Sequence, residues 1–190
     1  MKRAFLALGL LALLAAPAGA RGGIGVHAGW IDTDQADNDA GWGALFHIGI
    51  TQRVDIQVRA TDFRELSVKP EDAESENSFR FQTTAWDLGF TYNFFKDGRR
   101  LTPYVGGGGT YFMLDSTPDS KGRVGDEYGW YGIAGLDLPV GKRWSVYLEG
   151  MWRDAKMTIK GDDLGGLGGP VDVGVNLNGP QVNLGLALTW

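Results

Sequence analysis

The chain has no cysteine, which excludes a disulfide framework, thiol nucleophiles and thiolate metal sites together. Histidine is almost missing as well, with two in the whole sequence, His27 and His47. Two imidazoles fall short of the three or four ligands that a zinc site takes, and no further ligand stands out beside them. Basic residues are scarce, 18 against 23 acidic ones for a net charge of −5. That is the wrong balance for a nucleic-acid partner. From residue 21 onward there is no amphipathic helical period, and no apolar run reaches the roughly 20 residues that a bilayer-spanning helix takes. What the chain has in quantity is glycine, 30 of 190 residues, and aromatics, at 12%.

One apolar run stands apart at the start. "MKRAFLALGLLALLAAPAGA" places Lys2 and Arg3 before an apolar stretch and ends in small residues at Ala18 and Ala20. This is the pattern of a cleavable signal peptide, residues 1–20, with cleavage expected after Ala20. The exported domain is then residues 21–190, and removing Lys2 and Arg3 leaves 16 basic against 23 acidic residues, a net charge of −7.

Beyond it the dominant period is two. In the stretch 53–61, Val54, Ile56, Val58 and Ala60 alternate with Asp55, Gln57, Arg59 and Thr61. From residue 144, Trp144, Val146, Leu148 and Trp152 alternate with Ser145, Tyr147, Glu149 and Arg153. Eight such segments are expected, near 23–31, 41–50, 53–61, 79–92, 102–114, 128–138, 144–153 and 182–190. Alternation of this kind marks strands with one apolar and one polar face. In the fifth segment, "TPYVGGGGTYFML", the four glycines conceal which face is which.

The connections alternate too. Those expected at 32–40, 62–78, 115–127 and 154–180 are long and polar, and carry 18 of the 23 acidic residues. The shorter ones carry Arg53, Lys96, Arg99, Arg100, Lys142 and Arg143 against one acid, Asp97. Long and short loops in strict alternation put all the long ones at one end of an antiparallel meander, one end acidic and the other basic. Bacterial outer-membrane barrels have this construction, with strands of about 10 residues, an outward apolar band and aromatic girdles. A soluble barrel or sandwich also alternates but buries its apolar face. Here that face ends in Trp, Phe or Tyr and the opposite one is rich in Gly and small residues. A narrow lumen suits Gly, Thr and Asn better than bulky aromatics. The expected fold is therefore all-β, an eight-stranded antiparallel up-and-down transmembrane β-barrel.

"TPYVGGGGTYF", "GWYGIAGLDLPVGKRWSVYLEGMWRD" and the terminal "LGLALTW", with the signal peptide, resemble the small outer-membrane barrels related to OmpX, OmpW and the barrel domain of OmpA. The resemblance covers essentially the whole exported chain. It implies location in the outer membrane with both termini periplasmic, contact with outer-membrane lipid and lipopolysaccharide, periplasmic chaperones in transit, and a monomer without a cofactor. In that family a last strand with alternate apolar residues and a final aromatic is read by the assembly machinery. Leu184, Gly185, Leu186, Leu188 and Trp190 match this signal.

Candidate functional residues lie on the polar face. Simple hairpin registration sets Arg59 across from Asp87, while Glu149 and Arg153 point inward from the seventh strand. Two acids and two bases in a narrow low-dielectric interior should pair, as a network that plugs the barrel. His27 and His47 are expected roughly opposite one another as a lumen pair, not as a metal site. "DTDQADNDAG" fails the calcium-loop pattern, since Ala36 stands at a ligand position. No serine stands close to a histidine in sequence, so catalysis, including lipid modification, is not expected. The favoured role is structural, with acidic extracellular loops for surface interaction. The alternative is a narrow pore, or an OmpW-like channel for small amphipathic molecules.

Overall fold

The computed structural model describes residues 21–33, 36–68, 79–95, 101–115, 122–124, 127–161, 171–176 and 178–190. These form ten strands: β1 (Gly22–Thr33), β2 (Ala36–Gly49), β3 (Val54–Val68), β4 (Phe79–Asn93), β5 (Thr102–Asp115), β6 (Gly122–Val124), β7 (Glu127–Pro139), β8 (Trp144–Gly161), β9 (Val171–Asn176) and β10 (Gly179–Thr189). Eight of them make the wall. The order runs β10, β1, β2, β3, β4, β5, β7, β8, each antiparallel to the next, and β8 pairs back to β10. Closure leaves no free edge in the wall. The seam is sealed to the chain termini, where Gly22 and Trp190 exchange backbone hydrogen bonds of 3.2 and 3.0 Å.

Alternation sets the two faces. Val26, Trp30, Leu88, Phe90, Trp130, Leu148, Trp152 and Leu184 project outward and are exposed, whereas Gln57, Arg59, Asp87, Glu149 and Asn183 point inward and are buried. The fifth segment resolves in the same way: Thr102, Tyr104, Thr110 and Phe112 are buried inward and Val105 faces out. Outward aromatics collect at two levels. On β8, Trp144 and Trp152 are eight residues apart, as are Trp86 on β4 and Phe94 just past its end. Eight residues of strand span ~27 Å, and a tilt of about 40° brings this to ~21 Å, close to the ~25 Å apolar band of outer-membrane barrels.

The long connections differ from expectation. Only residues 34 and 35 separate β1 from β2, β3 runs on to Val68 and β8 to Gly161. Of the expected loops 32–40, 62–78 and 154–180, the parts 36–40, 62–68 and 154–161 are thus strand, and β6 and β9 flank the far end of β8 through Gly122↔Gly161 and Lys156↔Asn176. The reason is that backbone N–H and C=O groups seek partners on either side of the apolar band. Beyond that band the ladder continues through polar, charged sequence that reads as loop. The short turns are tight. Ile50 N–H donates to Val54 O and Val140 N–H to Trp144 O, both at 2.8 Å. Gly141 adopts φ +139°, a backbone region that favours glycine.

Candidate functional site

The lumen is built from inward residues of all eight wall strands, and its centre is a single connected set of polar side chains. Arg59 (β3) reaches across to Glu149 (β8), with Nη2 2.6 Å from both Oε1 and Oε2. Tyr104 (β5) donates its hydroxyl to Glu149 Oε1 at 2.7 Å, and Asn183 (β10) donates Nδ2 to Oε2 at 3.2 Å. Asn183 Oδ1 in turn accepts from Gln181 Nε2 at 2.5 Å. Gln181 accepts from Arg153 Nη1, and Arg153 Nη2 lies 2.5 Å from Asp87 Oδ2. The second guanidinium also stands 5.8 Å from the centroid of the Phe112 ring. Arg59, Asp87, Glu149 and Arg153 are each no more than 2% exposed.

The four charged residues singled out from sequence are therefore brought together, with partners that differ from the register. Arg59 does stand opposite Asp87 along β3 and β4. Its charge nevertheless goes across the lumen to Glu149, and Asp87 goes to Arg153. Neighbouring side chains on adjacent strands point the same way, whereas a narrow barrel lets long guanidinium arms meet the far wall. Tyr104 and Gln181 were missed. Gln181 was recoverable, two residues before Asn183 on one face, but the glycines of β5 gave Tyr104 no face in the sequence.

Two expectations need correction. The histidines do not face one another: His27 is opposite Gly43 and His47 opposite Gly23, four positions along β1. His27 Nε2 lies 3.0 Å from Thr61 Oγ1 and its Nδ1 3.3 Å from the Tyr147 hydroxyl. His47 belongs to a cluster at the short-turn mouth, 3.7 Å from Asp55 Oδ2. There Arg21 Nη2 donates to Asp55 Oδ1 at 2.9 Å, and Asn93 Nδ2 to Oδ2 at 2.9 Å. The second correction concerns lumen aromatics. Phe63, Tyr104, Phe112, Tyr131 and Tyr147 are all buried inside. They fit because glycines face them: a Cβ on Gly135 would overlap the Tyr104 ring, and one on Gly185 the Tyr147 ring. Glycine supplies the room rather than an empty lumen.

In the terminal strand Leu184, Leu186 and Trp190 are exposed on the outer face, Leu188 lies half-buried beside them, and Gly185 faces inward under Tyr147. Ala18 and Ala20 lie outside the described residues.

A closed antiparallel wall, apolar and girdled outside and charged inside, defines a transmembrane β-barrel of the outer-membrane class. The chain belongs to the family described as outer membrane protein beta-barrel domain, matched over residues 4–188. Location in the outer membrane follows, with the apolar face against its lipid. Among solved structures it is similar to the outer membrane protein OprG from Pseudomonas aeruginosa, at 17% identity and a TM-score of 0.70, covering 92% of this chain and 97% of that one. It is also similar to outer membrane protein AlkL, at 14% identity and a TM-score of 0.65 over 93% and 92% of the two chains. Outer Membrane Protein W of E. coli gives 15% identity and a TM-score of 0.55 over 91% and 100%. No curated protein matches the chain.

Proposed function

We propose that this protein is a non-catalytic outer-membrane anchor whose lumen is closed to solutes and whose extended hairpins present an acidic surface for interaction outside the cell. The carrying observation is the unbroken chain from Asp87 through Arg153, Gln181, Asn183 and Glu149 to Arg59, which crosses the lumen with almost no exposure. A solute would have to break charge pairs held in a low-dielectric interior. Reconstituted into planar lipid bilayers, the barrel should pass no steady current, and liposomes containing it should not swell in small sugars. Sustained conductance at moderate voltage would overturn the closed lumen.

A second reading, a gated narrow pore, has one observation in its favour. Arg59 Nε and Asp87 Oδ1 are both buried without a hydrogen-bond partner, on residues opposite one another in the ladder. Exchange of Arg59 from Glu149 to Asp87 would open the crossing. This reading requires a current that changes on Glu149→Gln or Arg59→Ala.

The proposal includes orientation and biogenesis. Residues 1–20 act as the signal peptide, cut after Ala20, so that Arg21 opens the barrel domain at its contact with Asp55. Both termini and the basic short turns face the periplasm. The protein travels with periplasmic chaperones, is assembled by the machinery that reads Leu184, Leu186, Leu188 and Trp190, and stands as a monomer among lipid and lipopolysaccharide. Trp190→Ala should slow assembly in cells, read as unfolded protein in the periplasm, more than it shifts the unfolding midpoint of barrel already inserted. Normal assembly would leave that ending a packing role alone.

A further inference from the structure

Outside the lumen, the short-turn end carries a cleft of about 680 Å³ lined by Lys142, Arg143, Leu188, Thr189 and Trp190. We propose that this cleft binds the phosphodiester headgroup of a glycerophospholipid in the leaflet reached by the short turns. Its walls come from two elements that are tied together. Thr189 donates its N–H at 2.7 Å and its hydroxyl at 3.3 Å to the carbonyl of Arg143. The turn that carries both cations is closed by the 2.8 Å bond from Val140 N–H to Trp144 O and shaped by Gly141 at φ +139°. The Trp190 ring lies against Gly22, with Cζ2 3.1 Å from where a Cβ would stand. The ring is thereby seated across the seam, rather than hanging free.

The lining has a gradient that suits one kind of molecule. Leu188 and Trp190 continue the apolar outer wall, and Trp144, paired with Leu188, is exposed beside them. Lys142 and Arg143 bring two positive charges to the watery edge, and no acidic side chain lines the cleft. Trp at a membrane boundary prefers headgroup depth, and cations there attract lipid phosphates. A free anion would use the charged half of the cleft and leave the apolar half against water. A phospholipid fills both, its phosphate on Arg143 in the forked geometry that guanidinium offers and its glycerol and upper acyl chain on Leu188 and Trp190.

The test uses the full barrel in an uncharged maltoside detergent, with bound lipid counted by native mass spectrometry. Phosphatidylglycerol should stay bound one per barrel, and diacylglycerol with the same chains should not. The pair Lys142→Gln and Arg143→Gln should weaken retention about thirtyfold, while Arg53→Gln, in another short turn, should leave it unchanged. Equal retention of diacylglycerol would reduce the cleft to an apolar dent and overturn the proposal. Equal loss from Arg53→Gln would mean a diffuse basic rim, and displacement by inorganic phosphate at matched ionic strength would mean a free-anion site; either result overturns it too. Both turn variants should keep the heat-dependent gel shift of the folded barrel, so a loss of lipid is not a loss of fold.

Discussion

On β8 two adjacent residues live in opposite solvents. Leu148 is 48% exposed on the outer wall and Glu149 is 0% exposed inside it. The inside of this protein is polar and tightly bonded, and its outside is apolar and held by lipid. In a soluble domain burial and hydrophobicity go together; here the charged residues Arg59, Asp87, Glu149 and Arg153 are buried while Leu88, Leu148 and Trp152 are exposed. One backbone thus supports two kinds of stability. Inside, each group depends on named partners, whereas outside, each depends on depth in the bilayer.

That contrast can be broken most severely from the inside. Glu149→Ala removes the acceptor for Arg59, Tyr104 and Asn183 at once. Stranding a buried charge costs about 3–5 kcal/mol, and the loss should be read as a lower denaturant midpoint for barrel folded in vesicles. Next comes the outer neighbour. Leu148 lies midway between Trp144 and Trp152, so Leu148→Arg puts a charge near the midplane of the lipid, at about 2–4 kcal/mol. Leu148→Ala should be far milder than Glu149→Ala. If the two alanine variants were equal, the inside and the outside would not differ in kind.

The same contrast explains what the sequence disclosed. The eight wall strands were legible because two solvents meet every one of them, and period two is the trace of that meeting, clearest at 53–61 and 144–153. The strand extensions to Val68 and Gly161 were hidden by charge, since the stretches 62–78 and 154–180 carry ten of the 23 acidic residues and read as polar loop. Within the lumen, charge and parity located Arg59, Asp87, Glu149 and Arg153, but pairing across the barrel depends on its diameter, which no strand encodes by itself. The histidine pair failed for a related reason. Both polar-face positions were correct, yet the β1–β2 register places Gly43, not His47, opposite His27.

A smaller effect tests whether glycine really makes the room for lumen aromatics. Gly185 sits under the Tyr147 ring, and a Cβ there would overlap it. Gly185→Ala should destabilise by about 1–3 kcal/mol, the usual range for overpacking. Tyr147→Ala in the same chain should recover much of that, because the clash is with this ring. Additive losses would mean that the glycine serves the backbone, and the double-mutant cycle separates the two.

A weaker contact lies at the short-turn rim. Arg53 donates Nη1 to the Tyr92 hydroxyl at 2.8 Å and its guanidinium stands 6.0 Å from the centroid of that ring. Water reaches both residues, so the exposed cation–π contact amounts to about 0.5–1 kcal/mol. Tyr92→Phe should remove the hydrogen bond and keep the ring, while Tyr92→Ala loses both, and the step between the two isolates the cation–π share. If Arg53→Ala matched Glu149→Ala in its loss of unfolding stability, the rim would be as dependent on partners as the lumen. The division of this molecule into a partner-held inside and a depth-held outside would then fail at the short-turn rim.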